Sequence, residues 1–505
     1  MLPQGLPGAP VMITFDDARV RHANRRPVRA SGEYVLYWMQ AARRLSHNHA
    51  LDHALREARR LRRPLVLYEG LRLWYPWASA RLHRFVLEGM RANAEAAARL
   101  GLTYWPWVQR RAGDGRGLLA TLAARAALVV TDDFPAFIVP AQTAALAAAT
   151  DVAVVAVDAN SIVPLASLGP VVSAAAQLRP RIHRAFAEAW EHRAAARPRI
   201  PPRLLDGPPA APPFEPAPLD DPDALIAALP LDRRVAPVPD TPGGTPAARR
   251  RLAEFVAHRL RGTAEGRSRP APPAVAHQSG LSPYLHFGHL AIAEVAEAVL
   301  ASTGDWSPAA LDPSAVGRRE GFYCRDPDVN AFLDEAITWR DMGLHWHWTR
   351  AADTASLERA LPAWARRTLA AHAGDARAFV YAREEWEAAA THDPLWNAAQ
   401  RQLVATGTIH NYLRMLWGKK VLEWSRSPEE AYATLEHLNN RYALDGRDPN
   451  SYTGILWCFG LFDRPWAPER PVLGSVRYMS SENTAKKFKL APYLDYVASL
   501  PAGGG

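Results

Sequence analysis

Cysteine is almost absent from the sequence, with only Cys324 and Cys458 among 505 residues. Two cysteines exclude a disulfide framework and a cysteine-rich zinc cluster. Long apolar runs are also missing, because Arg125 and Asp151 interrupt the longest ones and leave no uncharged stretch of about 18 residues to span a bilayer. The N-terminus lacks the basic start and apolar run of a signal peptide. These absences predict a soluble protein, and we expect it in the cytoplasm.

Lysine is scarce as well, but its distribution is informative. All five lysines lie in the last hundred residues, in two clusters: Lys419 and Lys420, then Lys486, Lys487 and Lys489. The chain carries a net charge of +9 and a pI of about 9.6. A basic balance of this size suggests a polyanionic partner such as nucleic acid. Either lysine cluster taken alone is more simply interpreted as a solvated surface.

Between about residues 30 and 160, short apolar runs alternate with helical patterns. Unbroken apolar runs such as VVAV are typical of strands covered on both faces of a parallel sheet. The alternating order predicts a doubly wound, Rossmann-like α/β domain. No GxGxxG or GxxxxGK[ST] motif follows a strand, which excludes phosphate loops of those two types. The predicted strands are 34–39, 64–68, 102–107, 127–131 and 152–158, and the predicted helices are 50–61, 80–100 and 141–149.

The composition changes twice after this region. From 197 to 246 proline, alanine and isolated charges dominate, which predicts an extended connection that packs little apolar surface, with one short helix near 221–229. Beyond 246 helical patterns prevail, and ten of the 17 tryptophans lie after Asp312. We therefore predict an α/β domain at 1–196, a proline-rich linker at 197–246 and an all-helical domain at 247–505.

The most informative stretch of the helical half is 408–425, TIHNYLRMLWGKKVLEWS. Thr408 is its predicted N-cap. Arginine is rarely buried without a partner, so an anionic or electron-rich group should lie against the face that carries Arg414. That face is defined by residues at spacings of three and four: His410, Arg414, Trp417, Val421 and Trp424.

Two more motifs in the helical half suggest ligand contacts. QSGLSPYLHFG, 278–288, places two hydroxyls and Pro283 at a predicted helix start, where backbone N–H groups can bind a phosphate or diphosphate. A capped loop without a ligand is the alternative. FLDEAITWRDM, 332–342, places Glu335 and Trp339 on one helix face, where they could bind a flat ligand. An amphipathic helix with one large core residue is the alternative there.

A metal site is not predicted anywhere in the helical half. His345 and His347 are two residues apart, which puts them on different faces of a helix, and no third ligand accompanies them. The polar loop LDGRDPN, in contrast, reads as the wall of a ligand site within an aromatic-rich domain. Its Asp445 is the expected partner of Arg414.

These motifs together resemble the photolyase/cryptochrome family, and specifically its class II branch of cyclobutane pyrimidine dimer photolyases. The resemblance begins at YVLYWMQ, 34–40, and continues through SGLSPYLHFG, THDPLWNAAQ, LRMLWGKKVLEW and LDGRDPNSYTGILW to VRYMS, 476–480. It implies an N-terminal antenna domain, a long connection and a helical domain that binds FAD. An antenna chromophore such as a deazaflavin is compatible with the resemblance, but the sequence does not name one. The chain departs from the class II pattern at 267–270, RSRP, and at 345–348.

The resemblance also implies contacts to FAD. Asn411 and Arg414 would flank the isoalloxazine, and Asp445 would pair with Arg414 at the start of a loop that continues through Gly446 and Arg447. Asn439 matches the asparagine that class II enzymes place at flavin N5. The segment that would contact the FAD phosphates consists of Gln278, Ser279, Gly280, Leu281 and Ser282.

A tryptophan series and a lesion pocket are implied in the same way. Trp417, Trp396 and Trp424 match the chain that carries an electron from the surface to photoexcited flavin. A second set of residues would receive a pyrimidine dimer flipped out of duplex DNA, as photolyases are known to do, and would fill or grip the opening left behind. That set consists of Glu335, Trp339 and Trp457 for the dimer, and Arg464 and Arg477 for the opening.

The resemblance therefore predicts an enzyme, a light-driven DNA repair lyase, that acts as a monomer on double-stranded DNA containing pyrimidine dimers. It would require FAD, no metal and no protein partner. A cryptochrome-like flavin photoreceptor without repair activity is one alternative. A basic DNA-binding scaffold without catalytic activity is the other.

Overall fold

The computed structural model describes residues 15–200, 211–350 and 356–501. Its N-terminal part contains a six-stranded sheet in the order β1-β6-β5-β2-β3-β4, in which β1 is antiparallel to β6 and the remaining pairs are parallel. The strands are Val20–His22 (β1), Tyr34–Met39 (β2), Leu65–Leu71 (β3), Thr103–Val108 (β4), Ala126–Asp132 (β5) and Val154–Val157 (β6).

The predicted fold class is confirmed, and all five predicted strands are present. The structure adds β1, a strand of three residues that is too short and too polar to be predicted from the sequence pattern. Apolar side chains cover both faces of the sheet, as the unbroken runs predict. The helices of this part are Phe15–Ala18 (α1), His49–Leu61 (α2), Ala80–Leu100 (α3), Leu118–Arg125 (α4), Val139–Ala149 (α5) and Ala175–Glu191 (α6).

The carboxyl ends of β2 and β5 meet at the point where the strand order reverses, which is where open α/β sheets commonly bind ligands. Here Asp132 accepts hydrogen bonds from the amides of Gln40, Ala41 and Ala42 at 2.7–2.9 Å. Arg44 then donates to the carbonyl of Gly288 in the helical half, at 3.1 Å. This edge of the sheet is therefore occupied by a loop that also joins the two halves of the chain.

The connection between the halves packs more tightly than its composition predicts. The predicted short helix is present as Pro222–Ala228 (α7), capped by Asp221. Leu219, Leu225 and Leu229 are buried in a cluster with residues of α3. The expectation that this segment packs little apolar surface is therefore wrong for 211–246, because its scattered leucines pack into the core. Residues 201–210 of the predicted linker lie outside the described residues.

The second half is helical. Of its two large apolar clusters, one is shared with residues of the first half such as Phe85 and Phe186, and the other lies almost entirely within the helical half. Arg81 of α3 extends into the helical half and donates to the carbonyls of Leu403, Val404 and Tyr442. None of the helices in the described ranges is long and apolar enough to cross a bilayer. The helices are Thr245–His258 (α8), Thr263–Gly266 (α9), Ser282–His286 (α10), Ile292–Ala301 (α11), Pro327–Leu333 (α12), Arg340–Arg350 (α13), Leu357–Ala360 (α14), Ala363–Ala371 (α15), Arg383–Glu387 (α16), Pro394–Thr406 (α17), Asn411–Trp424 (α18), Pro428–Tyr442 (α19), Pro449–Cys458 (α20), Ser481–Lys487 (α21) and Ala491–Ser499 (α22), with a π-helical turn at Asp334–Trp339 between α12 and α13.

Candidate active site

A cavity of about 1280 Å³ opens into the helical half. A volume of this order exceeds that of most drug-sized ligand pockets. Its wall combines the Gln278–Ser282 segment with residues of α18, the loop after α19 and α20. Most of the residues predicted for cofactor and substrate share this one cavity: Gln278, Ser279, Gly280, Leu281, Ser282, Glu335, Trp339, Asn411, Arg414, Trp417, Asp445 and Trp457.

Helix α18 begins two residues later than predicted. Its N-cap is His410, whose Nδ1 accepts the amide N–H of Tyr412 at 3.2 Å. Thr408 is therefore not the cap, because its hydroxyl and backbone amide bond to Thr406 within the preceding turn. The later start places Asn411 in the first turn of the helix, facing the cavity.

Arg414 and Asp445 form the predicted ion pair at the cavity wall. Nη2 of Arg414 donates to Oδ1 of Asp445 at 2.8 Å, and Nη1 donates to Oδ2 at 3.3 Å. Burial opposes ionisation of the Asp445 carboxyl, but Arg414 and the Ser282 hydroxyl outweigh it and hold its pKa below the ordinary value. Nε of Arg414 is buried without a hydrogen-bond partner in the described structure. Only 20% of the Arg414 side chain is exposed, so the guanidinium lies largely within the cavity wall.

The Gln278–Ser282 segment turns into α10 beside this pair. Gly280 has a φ of +66°, a conformation that side chains with a Cβ adopt at a cost, and an added Cβ would meet the Arg251 guanidinium. Nε of Arg251 donates to the carbonyl of Ser279 at 2.9 Å. A polar turn held by an arginine and lining the cavity is chemically suited to an anionic ligand group.

Three predicted cofactor residues lie behind the cavity wall. Asn439 is buried in α19, and its amide nitrogen donates to Oγ of Ser451 at 2.8 Å, while Ser451 itself lines the cavity. Gly446 packs against the backbone of α19. Arg447 donates to the carbonyls of Asn440 and Leu444, so its guanidinium holds the loop together. In the structure, these three residues therefore hold the cavity wall in place from behind.

Another part of the cavity wall is lined by the residues that were predicted to bind the lesion. Glu335 and Trp339 belong to the π-helical turn, a local widening that is frequent at functional sites. The adjacent Asp334 is held by Arg179, with Nε–Oδ1 at 2.6 Å. Burial raises the pKa of Glu335 above its ordinary value although Arg267 lies 3.3 Å away and opposes the shift. Arg267 was missed as a contact because pairing across about seventy residues leaves no local signal.

Lys419 is a second residue whose position was not predicted from the sequence. Its ammonium donates to the carbonyls of Trp457 and Cys458 at 3.3 and 2.8 Å and lies 4.6 Å from the Trp457 ring. It is buried, which lowers its pKa to about 8. The interpretation of this lysine as a solvated surface residue is therefore wrong, because α20 covers it. It closes the C-terminal end of the helix that presents Trp457.

The two predicted arginines at the opening each lie over an aromatic ring. Arg477 lies 5.5 Å from the Trp457 ring and pairs with Asp463, with Nε–Oδ2 at 2.9 Å. Arg464 is exposed, and its guanidinium lies 4.6 Å from the Trp466 ring. Two arginines this close together in sequence and beside aromatic rings are suited to contacts with a polyanion.

The predicted tryptophan series starts at the cavity and runs away from it. Trp417 lines the cavity, and its ring stacks on Trp396 with centroids 6.3 Å apart and planes within 8°. Trp386, which the sequence analysis did not include, lies 4.8 Å from Trp396 and 6.2 Å from Trp424. The observed ring contacts therefore join Trp396 to Trp424 through Trp386.

No cluster of three or more metal-binding side chains occurs among the described residues. His345 bonds to the carbonyl of Gly169, and His347 bonds to that of Gly343. Both histidines thus have structural partners within the fold.

Three known proteins resemble this chain. A relative named deoxyribodipyrimidine photo-lyase, from Methanothermobacter thermautotrophicus, is 34% identical over 483 residues, which cover 95% of this chain and 98% of the relative. A class III photolyase structure from Agrobacterium tumefaciens aligns with a TM-score of 0.64 at 20% identity, covering 93% and 86% of the two chains. A Synechocystis cryptochrome structure aligns with a TM-score of 0.65 at 15% identity, covering 92% and 88%. No protein-family model matches the sequence.

Asp341, two residues after Trp339, is a buried carboxyl with no hydrogen bond to either oxygen in the described structure. The nearest cation is Arg340, with Nη1 at 3.6 Å, but that nitrogen donates to the carbonyl of Asn160. Burial raises the pKa of Asp341 from 3.8 to about 8. Between these two pKa values, the folded chain therefore retains a proton that the unfolded chain has released.

Replacement of Asp341 by asparagine should stabilise the protein in a pH-dependent manner. Because the folded state binds the extra proton between the two pKa values, the contribution of Asp341 to stability falls as pH rises through that range. We expect Asp341→Asn to raise the midpoint of urea unfolding at about pH 8 and to change it much less at about pH 5. Asp305→Asn, at an exposed aspartate, is the control, and equal pH slopes for Asp341→Asn and the wild type would contradict the assignment.

Proposed function

Because the chain belongs to the deoxyribodipyrimidine photo-lyase family, we propose that it repairs ultraviolet-damaged DNA by splitting cyclobutane pyrimidine dimers in the light. One observation carries the proposal: the Arg414–Asp445 pair and the residues Glu335, Trp339 and Trp457 share a single cavity. A cofactor and a lesion could therefore lie within reach of each other. We assign the chain to class II on the motifs that it shares with that branch.

We propose FAD as the cofactor, since the donor set of the cavity fits a flavin dinucleotide. Arg414 and Asn411 line the cavity, while the turn at Gln278–Ser282 offers polar groups for the diphosphate. Asn439 would act through Ser451, to which it donates a hydrogen bond. When bound and reduced, FAD would supply the light-driven electron transfer that opens the cyclobutane ring.

The residues of the lesion wall would bind and orient a dimer flipped out of the duplex. The indoles of Trp339 and Trp457 provide flat surfaces on which a base can stack. The Glu335 carboxyl, whose pKa burial raises, would form a hydrogen bond with the pyrimidine edge. Lys419 fixes the end of the helix that carries Trp457, and Arg464 and Arg477 would contact the DNA at the opening.

Repair is tested by illuminating irradiated thymine oligonucleotides with the reduced protein and measuring the recovery of pyrimidine absorbance. We expect recovery in blue or near-ultraviolet light and none in the dark. Flavin binding with no recovery would favour the alternative of a cryptochrome-like photoreceptor. A protein that binds DNA but takes up no flavin would favour the alternative of a non-catalytic scaffold.

We propose that the three parts of the chain, 1–196, 197–246 and 247–505, act as antenna domain, linker and catalytic domain. The sheet lies within the first part, and the cavity is lined mainly by the third. We further propose that the protein acts as a monomer in the cytoplasm on double-stranded DNA. Light scattering of the purified protein tests the monomeric state.

A second cavity, of about 550 Å³, is our candidate site for an antenna chromophore. Trp74, Tyr75 and Trp77 of the segment after β3 line it together with Arg441 of α19. The aromatic faces suit a planar heterocycle such as a deazaflavin. Arg441 pairs with Asp232 of the same wall, with Nη1–Oδ2 at 3.0 Å. The Trp74 ring is 45% exposed, which leaves a surface for stacking.

Uptake of an antenna chromophore at this cavity should depend on Trp74. We expect the wild-type protein to acquire the visible absorption of an added 8-hydroxydeazaflavin and Trp74→Ala to lose it, since one stacking surface disappears. Trp107→Ala, on β4 outside this lining, is the control. Equal uptake by Trp74→Ala and the wild type would exclude this location.

Asp445→Asn should weaken FAD binding. The neutral amide removes the charge that orients Arg414, and we expect the dissociation constant to rise by about tenfold or more, equivalent to about 1.4 kcal/mol. Titration of the flavin-free protein with FAD measures it. Glu430→Gln alters a surface pair with Arg426 and serves as the control. Unchanged affinity in Asp445→Asn would contradict the assignment of the pair to the flavin.

Trp457→Ala should reduce selectivity for damaged DNA. Stacking of a base on an aromatic ring is worth about 1–3 kcal/mol, so affinity for a dimer-containing duplex should fall by roughly fivefold to a hundredfold. Affinity for undamaged duplex should change little, because that binding depends on phosphate contacts. Fluorescence anisotropy with both duplexes in the dark measures the ratio, with Trp74→Ala as the control. A parallel loss for both duplexes would show that Trp457 does not read the lesion.

A further inference from the structure

Trp386 of α16 occupies a gap in the tryptophan series. It is 1% exposed, and its ring contacts Trp396 at 4.8 Å with planes at 61°. On its other side it lies nearly parallel to Trp424, with planes within 10° and centroids 6.2 Å apart. The ring centroid of Tyr381, whose hydroxyl hydrogen-bonds the exposed His392, lies 5.1 Å from that of Trp386. Trp386 is therefore the ring that touches both an inner and an outer member of the series.

The charges around the outer rings favour Trp386 as a carrier of positive charge. Nζ of Lys420 lies 5.2 Å from the centroid of the Trp424 ring, so a cation formed on Trp424 is repelled, although Glu423 pairs with Lys420 at 2.7 Å and offsets part of this. Helix α16, REEWE, carries one arginine and three glutamates around Trp386. The net negative charge of α16 lowers the free-energy cost of forming a cation on the indole of Trp386.

The inner rings are held in fixed positions. The indole N–H of Trp396 donates to the carbonyl of Trp417 at 3.1 Å, and that of Trp417 donates to Oε1 of Gln400 at 3.0 Å. Both hydrogen bonds are buried and fix the orientation of the stacked pair. Trp386 then continues the same contact path outward.

We propose that Trp386 is a fourth member of the tryptophan relay and that Trp396 is re-reduced by Trp386. The inference rests on the proposed flavin-dependent function. The initial oxidant is the photoexcited, oxidised flavin, which gains one electron from Trp417. Trp417 is restored by Trp396, and Trp396 by Trp386, so that one electron moves inward while one positive charge moves outward. No bond forms or breaks in these steps, and Trp424 or Tyr381 passes the charge on to an external thiol.

The test compares Trp386→Phe with Trp346→Phe in the flavin-loaded protein. Trp346 is equally buried in the same cluster but lies outside the ring contacts that link Trp417 to Trp424. Under blue light with an added thiol, we expect flavin reduction in Trp386→Phe to slow by about tenfold or more, equivalent to about 1.4 kcal/mol in activation free energy. Flash absorption should show a shorter lifetime of the tryptophan cation. Trp346→Phe should match the wild type in both measurements.

Trp386→Tyr provides a second test that does not depend on the phenylalanine variant folding. A phenol loses its proton when oxidised, so this variant should restore part of the rate and make the decay of the radical signal dependent on pH. Equal reduction rates and radical lifetimes in the wild type and in the Trp386 variants would overturn the proposal.

Repair by chemically reduced protein separates this inference from the proposed function. Dithionite supplies the electron without the relay, so reduced Trp386→Phe should split dimers as fast as the reduced wild type. Photoreduction that depends on Trp386 in a protein that repairs no dimers would refute the repair function and support the relay. A protein that takes up no flavin would refute both.

Discussion

The ion pair between Arg414 and Asp445 is the constraint on which the candidate site depends. A largely buried guanidinium is costly unless a carboxylate meets it, and here the carboxylate comes from the loop that follows α19. The pair therefore fixes that loop against α18 at the wall of the cavity. Ser282 bonds to the same carboxylate and brings the polar turn before α10 to this point. Three separate segments of the chain are joined by one charge interaction.

Much of this arrangement could be predicted from the sequence because its physical causes are local or costly. Unbroken apolar runs predict β2 and β5, and the cost of burying Arg414 predicts a partner such as Asp445. Other features depend on packing between distant segments. The start of α18 at Asn411, the covering of Lys419 by α20 and the contact of Arg267 with Glu335 are decided by neighbours that no periodicity reveals. Trp386 was missed for the same reason, since it lies in a five-residue helix outside the longer motifs.

In the helical half, the tryptophan series leads from the cavity towards the outside of the protein. Glu335, Trp339 and Trp457 line the cavity, and Trp417 borders it and begins a series of stacked rings that leads outward. Buried lysine and arginine side chains support these aromatic residues by binding helix ends and loop carbonyls, as Lys419 and Arg447 do. Helix α18 thus carries both the arginine of the cavity wall and the first tryptophan of the series.

The central claim is that the large cavity holds a flavin dinucleotide against Arg414. Its most direct test is the cofactor content of the protein purified gently in the dark, with the released chromophore identified by chromatography. The account predicts a yellow or blue protein that contains one FAD per chain and releases it on denaturation. A colourless protein that also fails to take up added FAD would contradict the account.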